Sequence, residues 1–218
     1  MAPVNYGKEL EKTIAGLGGT TPSLLLHACC APCSSSVLEY LSRYFQITVF
    51  YYNPNISPEE EYRKRVSELR RLLAEQPAPN PVSLAEGPYD PERFRALAKG
   101  RERDPEGGER CFACYALRLR EAARYAKEHG FAYFTTTLTV SPYKNAAKLN
   151  EIGAELEREI GVPFLRSDFK KKNGYLRSIE LSRVYGLYRQ NYCGCVFSRA
   201  QAEARAAERG RDIKTGKT

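Results

Sequence analysis

Seven cysteines fall in three tight groups, Cys29/Cys30/Cys33, Cys111/Cys114 and Cys193/Cys195. No other feature constrains the fold as much. A chain that joins all three groups must wrap its beginning, middle and end around one point. The number is odd and the spacing clustered, whereas a secreted disulfide framework usually spreads an even number through a short chain. In a reducing compartment, clustered thiols more often bind metal or do redox work. Residues 1–20 carry Lys8, Glu9, Glu11 and Lys12 in mixed order, without the basic start, apolar middle and cleavage site of a signal peptide. No apolar run approaches the ~18–20 residues of a membrane span. A cytoplasmic protein without membrane attachment is expected.

The 218 residues suit one domain. Residues 23–28 read as a short buried strand that stops at Cys29-Cys30-Ala31-Pro32-Cys33. Pro32 suits the first turn of a helix, in which Val37, Leu38, Leu41 and Phe45 recur at helical spacing. Residues 47–52 form a β-branched and aromatic strand. Ser57, Pro58 and Glu60 predict a capping box opening a long helix, with Val66, Leu69 and Leu73 inward. A third strand is expected over 82–85, a short helix over 91–99, a surface loop over 100–110 and a helix from Cys111 to His129. Residues 133–138 predict a strong strand, Ser141-Pro142 another helix start, 162–165 a short strand, 168–174 a basic loop and 179–187 a helix. The alternation of strand and helix argues for the α/β class, a parallel twisted sheet flanked by helices in one Rossmann-like domain. The expected limits are a flexible leader over 1–22, the catalytic domain over 23–200 and a basic C-terminal helix or tail over 201–218. In such sheets, sites form beyond the carboxyl ends of strands, and the first cysteine group sits at one such end.

Cys-x-x-Cys at a loop-to-helix junction points two thiolates at one metal, and the helix N-terminus favours their charge. Cys29 and Cys30 can share a site only where the strand ends, because neighbours in an extended strand face opposite sides. Four thiolates suit either zinc or an iron–sulfur cluster. Cys193-Gly194-Cys195 adds two more thiols, and Gly194 lets the backbone fold tightly enough to bring both together. Spare paired thiols beside a metal centre suggest electron traffic or a second metal. The plainer reading, unrelated buried cysteines, fits poorly with three groups at element ends.

The formal net charge of +8 is uneven. Residues 164–218 carry 13 Lys and Arg against 5 Asp and Glu, while the remainder balances at 21 against 21. This asymmetry suggests a polyanionic partner, nucleic acid being the commonest. Over residues 205–217 a merely solvated tail is the competing reading.

At this point the chain resembles the epoxyqueuosine reductases of the QueH type. The matching stretches are His27-Ala-Cys-Cys-Ala-Pro-Cys33, Phe50-Tyr-Tyr-Asn-Pro-Asn-Ile56, Glu106-Gly-Gly-Glu-Arg-Cys-Phe-Ala-Cys114, Thr135-Thr-Thr-Leu-Thr-Val-Ser-Pro-Tyr-Lys-Asn145, Ser167-Asp-Phe-Lys-Lys171 and Leu187-Tyr-Arg-Gln-Asn-Tyr-Cys-Gly-Cys195. The resemblance implies a two-electron reduction of epoxyqueuosine to queuosine at the wobble position of transfer RNA. It implies a fold like the nucleotide-binding (HUP-type) domains of transfer-RNA thiolation enzymes, and a [4Fe-4S] cluster with a further mononuclear iron. By position, Cys29, Cys30, Cys111 and Cys114 would hold the cluster. Cys193 and Cys195 would be a redox pair or, with Cys33, ligands of the second iron. Some relatives have Asp at the position of Cys33. No phosphate loop follows the first strand, which counts against ATP use.

Several further residues are candidates. His27 would be a proton donor or a packed, hydrogen-bonded core residue. Tyr52 ends the second strand and Asn53 breaks it, with one ring of Tyr51/Tyr52 expected in the core and the other at the site. Lys144 and Asn145 would meet a phosphate at a helix start or lie solvated. Asp168 would contact substrate or cap the basic loop. Lys170, Lys171 and Lys172 with Tyr175 and Arg177 combine charge and aromatic faces, as RNA contact requires. The partners expected are transfer RNA bearing epoxyqueuosine and an electron donor such as ferredoxin or flavodoxin, acting on a monomer. Competing functions are an iron–sulfur transfer-RNA thiolation enzyme, which needs ATP, and a non-catalytic zinc-binding RNA adaptor.

Overall fold

The computed structural model describes residues 4–215, with side chains from 4 to 208. Its centre is a four-stranded parallel sheet of β1 (Ser23–His27), β2 (Gln46–Tyr51), β3 (Val82–Glu86) and β4 (Tyr133–Thr136), in the order β3-β2-β1-β4. His27 pairs with Phe50 on one side and Thr136 on the other. The chain adds β2 and β3 to one side of β1 and then returns to place β4 on the other. The order therefore reverses beside β1, where ligands of open α/β sheets bind.

Alternation along β1 builds two cores. Leu24, Leu26 and Ala28 face α2 (Ala31–Leu41), α3 (Glu59–Glu75) and α1 (Tyr6–Ala15), in a cluster with Val37, Leu41, Val49, Tyr51 and Leu69. Leu25 faces the other way, toward α5 (Glu109–Glu128) and α6 (Ala146–Ile160), among Phe50, Tyr52, Leu119, Ala122 and Phe134. Each of these fully buried leucines contributes about 1.5–3 kcal/mol. Tyr51 and Tyr52 thus face opposite sides, as strand geometry requires, but both are core residues. The short α4 (Pro91–Ala98) rests near α5, followed by α7 (Gly174–Val184) and α8 (Val196–Thr215).

Several local expectations are corrected. Residues 6–15 are not loose: Asn5 caps α1 and Leu10 is buried. The capping box at Ser57 does not form, because Pro58 itself is the N-cap of α3 and makes no side-chain cap bond. The strand at 133 ends at Thr136, whose hydroxyl accepts from Leu138 N–H to start a 3-10 turn, Thr137–Val140. The next helix begins at Ala146 rather than Ser141, because Asn145 Oδ1 accepts from Lys148 N–H. Residues 162–165 contribute one bridge, Phe164 to Phe134, in place of a strand. The tail expected over 205–217 lies largely outside the described side chains.

Candidate active site

The first thiols gather where β1 ends. Ala28 N–H still pairs with Phe50 C=O at 3.0 Å. Cys30 is then the extended N-cap of α2, and Cys33 lies in its first turn after Pro32. The sulfurs of Cys29, Cys30 and Cys33 all lie within 4.8 Å of one another, a group able to hold a metal ion. Hydrogen bonds from Cys30 and then Cys33 hold the Cys29 thiol well below its usual pKa, aided by Arg118 and Lys144. The same bond pushes Cys30 up to about 12.

The other groups close on this trio. Cys193 lines a cavity of about 520 Å³ together with Cys29, Cys30 and Cys33. Cys111 and Cys114 lie in the first turns of α5, and Gly107 N–H reaches Cys111 Sγ at 3.3 Å. Cys114 packs with Cys195, Phe94 and Ala98. Burial pushes Cys114 up to about 12, and the neighbouring Cys193 and Cys195 add to the rise. All seven cysteines are free thiols. Three separate segments therefore converge, with Cys193 facing the first group and Cys195 the second.

The third group is held by one face of α3. Arg71 donates to Tyr185 C=O at 2.9 Å, and Glu68 accepts from Tyr188 N–H at 2.7 Å. Glu61 accepts from the Tyr188 hydroxyl at 3.0 Å, and Arg65 Nη1 donates to Cys193 C=O at 3.0 Å. Ser57 N–H then bonds Gly194 C=O at 3.0 Å. Gly194 has φ +124, and a Cβ there would lie 2.9 Å from Ile56 Cγ1 and 3.1 Å from Arg65 Nη1. The glycine is needed both for its backbone conformation and for this close approach.

Cations surround the thiols. Arg118 is 1% exposed. It donates to Asn53 Oδ1, while its Nε and Nη1 find no hydrogen-bond partner. Burial would lower its pKa, but Cys114, Cys29 and Cys193 more than offset this and hold it charged. Lys144 Nζ lies 3.3 Å from Cys193 Sγ. Its pKa is likewise raised against burial, by Cys193, Tyr115 and Cys29. Sequence reading missed Arg118 and Arg65. The signal for Arg118 was its spacing, since Cys111, Cys114 and Arg118 recur at helical intervals on one face of α5.

The remaining candidates divide. His27 is fully buried, with Nδ1 2.9 Å from Thr136 Oγ1 and Nε2 3.1 Å from Tyr52 C=O. Burial first, then Arg118, lowers its pKa to about 3, so it is neutral. Both ring nitrogens are engaged, which fits the packed reading. Tyr52 and Asn53, expected as substrate contacts, are fully buried in this structure. Asn53 instead ties Ala28 C=O, through a 2.9 Å bond from Nδ2, to Arg118. Asn145 is the cap of α6, while Lys144 turns into the thiol cavity. Asp168 pairs with Lys170 at 3.1 Å, and Lys170 Nζ also reaches Lys144 C=O at 3.4 Å. Arg177 forks onto Glu39 at 2.7 and 2.9 Å, so its charge is met internally. Lys171 lies away from the thiols, in a separate groove with Arg177.

An α/β domain with thiols gathered at the switch point of its sheet, beside Arg65, Arg118 and Lys144, defines a class of proteins built around a thiol centre able to hold metal. The family model described as epoxyqueuosine reductase QueH matches residues 24–201, and the chain belongs to that family. Proteins named epoxyqueuosine reductase QueH from Staphylococcus epidermidis and Streptococcus pyogenes are 43% and 44% identical to it. Each alignment covers 89% of this chain, and 84% and 78% of the respective relatives. One from Thermotoga maritima is 36% identical over 85% of this chain and 95% of its own. No helix among the described residues is long and apolar enough to cross a membrane.

Proposed function

We propose that this protein reduces the epoxide of epoxyqueuosine in transfer RNA, leaving queuosine. Two electrons and two protons convert the epoxide to an alkene, and the oxygen leaves as water. The observation that carries the reading is a cavity lined by Cys29, Cys30, Cys33, Cys193, Arg65 and Lys144, next to which the chain places Cys195 and its packing partner Cys114. Its volume, about 520 Å³, falls within the ~300–1,000 Å³ range of small-molecule sites and suits a single everted nucleoside.

The donor set fits an iron–sulfur group. Thiolates carry its negative charge, and the unmatched Nε and Nη1 of Arg118 supply buried positive charge beside them. The proposed cofactor is a [4Fe-4S] cluster on Cys29, Cys30, Cys111 and Cys114, with a mononuclear iron on Cys33, Cys193 and Cys195. Such a centre supplies electrons and a Lewis acid for the departing oxygen. The close approach of Cys33 to Cys29 and Cys30 supports adjacent positions for the two metals. The protein's own groups do the rest. Tyr143, 74% exposed, stands with Tyr175 and Tyr192 around the cavity mouth and offers faces for stacking the base. Lys144 holds a proton at Nζ 3.3 Å from Cys193 Sγ, within the cavity where the substrate would bind. His27 acts as a positioning residue, bracing β4 against the turn after β2.

The electrons are proposed to come from a small carrier such as ferredoxin or flavodoxin, and the protein to work as a cytoplasmic monomer. The test is anaerobic incubation with a chemical reductant and epoxyqueuosine-bearing transfer RNA, followed by nucleoside mass analysis. Loss of one oxygen atom is expected. Persistence of the epoxide with a fully loaded iron centre overturns the reading, and a colourless zinc protein with no reductase activity points to an adaptor.

A further inference from the structure

A second concavity, of about 840 Å³, lies where α1, α2 and the turn at 168–173 meet. The thiol cavity and this groove share two walls. Pro32 and Cys33 of α2 line the first, and Ser36, Tyr40 and Arg43, beyond them along the chain, line the second. Tyr175 and Ser178 near the start of α7 face the first, Gly174 and Arg177 the second. Cys33 and Tyr40 are about 10 Å apart along the helix axis at 1.5 Å per residue. A strand of a few linked nucleotides can cover that distance.

The charges in the groove are the telling feature. Its acids are already taken: Glu11 by Lys172, Glu39 by Arg177 and Asp168 by Lys170. Lys8, Arg43 and Lys171 come from three different elements and are all exposed. Among the described residues none of them has a carboxylate within ion-pair distance. Cations that converge on one concavity repel one another unless an anion joins them. Tyr6 and Tyr40, both partly exposed, put aromatic surface in the same groove. Unpaired cations around a concavity with aromatic walls are the elements of a single-stranded nucleic-acid channel.

We propose that this groove binds the nucleotides flanking the modified base, through Lys8, Arg43 and Lys171 on phosphates and Tyr40 on a base face. The proposal rests on the reading that the substrate is RNA. An acidic electron-carrier protein is the rival occupant. A concavity of about 840 Å³ lined by Tyr6 and Tyr40 suits nucleotides better than the flat contact of a redox partner.

The test uses the full chain and a fluorescein-labelled transfer-RNA anticodon stem-loop lacking the modified base, titrated at several salt concentrations. Wild type is expected to bind, and Arg43→Glu/Lys171→Glu to bind at least tenfold more weakly. The slope of log affinity against log salt should also be shallower by about 0.7 per lost phosphate contact, the single-strand value. If the charge reversals lower the unfolding midpoint or the metal content, Arg43→Gln/Lys171→Gln carries the test, with the same slope change expected. Wild-type binding with unchanged affinity and slope in the variants overturns the groove while leaving the RNA reading intact. Failure of the wild type to bind any RNA overturns both. Unchanged RNA binding with slower reduction by a flavodoxin-type carrier assigns the groove to that protein and also overturns the proposal.

Discussion

The cations of the thiol cavity and those of the helix surfaces are the same residue types in opposite settings. On the outer faces, Arg63 pairs with Glu59, Arg95 with Glu92 and Arg199 with Glu203, each three or four residues away. Around the thiols, Arg118 has no carboxylate partner at all among the described residues, and Lys144 has only sulfur. Surface pairs of this kind contribute about 0–1 kcal/mol, because water solvates both partners anyway. A buried guanidinium has lost its water, so something negative must compensate it. The difference teaches that the protein leaves Arg118 and Lys144 without carboxylate partners and reserves their charge for sulfur and whatever sulfur holds, while the one carboxylate lining the cavity, Glu106, is met by Arg205.

Arg118→Met makes the sharpest test of that contrast. It removes the buried cation and leaves Asn53 Oδ1 and the nearby thiolates uncompensated. The expected cost is about 3–5 kcal/mol, the range for breaking a buried charge pair. It should appear both as a lower denaturation midpoint and as iron lost on gel filtration. Arg63→Ala, at a site 76% exposed, is the reference and should cost no more than about 0.5 kcal/mol. If the two variants prove equally mild, Arg118 is not a counter-charge to the thiols.

The contrast also marks how much could be read from residues alone. The strands at 23, 46, 82 and 133 were legible because β-branched, leucine and aromatic runs have few other uses. The Cys-x-x-Cys groups were legible because their spacing is local. The leader helix was not: its apolar face is only Leu10 and Ile14, followed by Gly16, Gly18 and Gly19, which suggest looseness. Tyr52 and Asn53 looked like ligand contacts because they follow a strand end. Only tertiary structure shows that Arg118 draws Asn53 inward. The hold of α3 on residues 185–194 joins partners far apart in sequence, and Arg65 and Glu68 there look like ordinary solvent-facing charges.

Arg65 stands between the two settings, and so sharpens the comparison. It is buried beside the thiols, yet Glu61 meets its Nε at 2.7 Å. Burial would lower its pKa, but Cys30 and then Glu61 raise it. Arg65→Met leaves Cys193 C=O without its donor, while Glu61 keeps the Tyr188 hydroxyl. The expected loss is about 1–3 kcal/mol, the cost of an unmet buried polar group, smaller than for Arg118. The measurement is urea denaturation, read together with the accessibility of Cys193 to a thiol reagent. Cys193 should react faster in the variant, since its segment loses one of its ties to α3. Unchanged reactivity would mean that Arg65 serves charge alone.

Glu68 lies at the surface end of the same comparison, where a charge pair tethers a segment instead of facing sulfur. Arg71 first, and then the N–H of Tyr188, hold its carboxyl below the usual carboxylate range. A lowered carboxyl pKa stabilises the fold above the ordinary value of about 4.3, and that stabilisation is lost as pH falls through the lower folded-state value. Glu68→Gln can still accept from Tyr188 but loses the ion pair. The expected deficit at neutral pH is at most about 1 kcal/mol, because the pair is partly exposed. The gap between variant and wild type should then close as the solution is taken below the carboxylate range, where wild-type Glu68 is also neutral. Denaturation midpoints measured from neutral to strongly acid pH check this. A gap that stays constant across the range would show that Glu68 acts only as a neutral acceptor, and the charge distinction between α3 and the thiol cavity would then begin at Arg65.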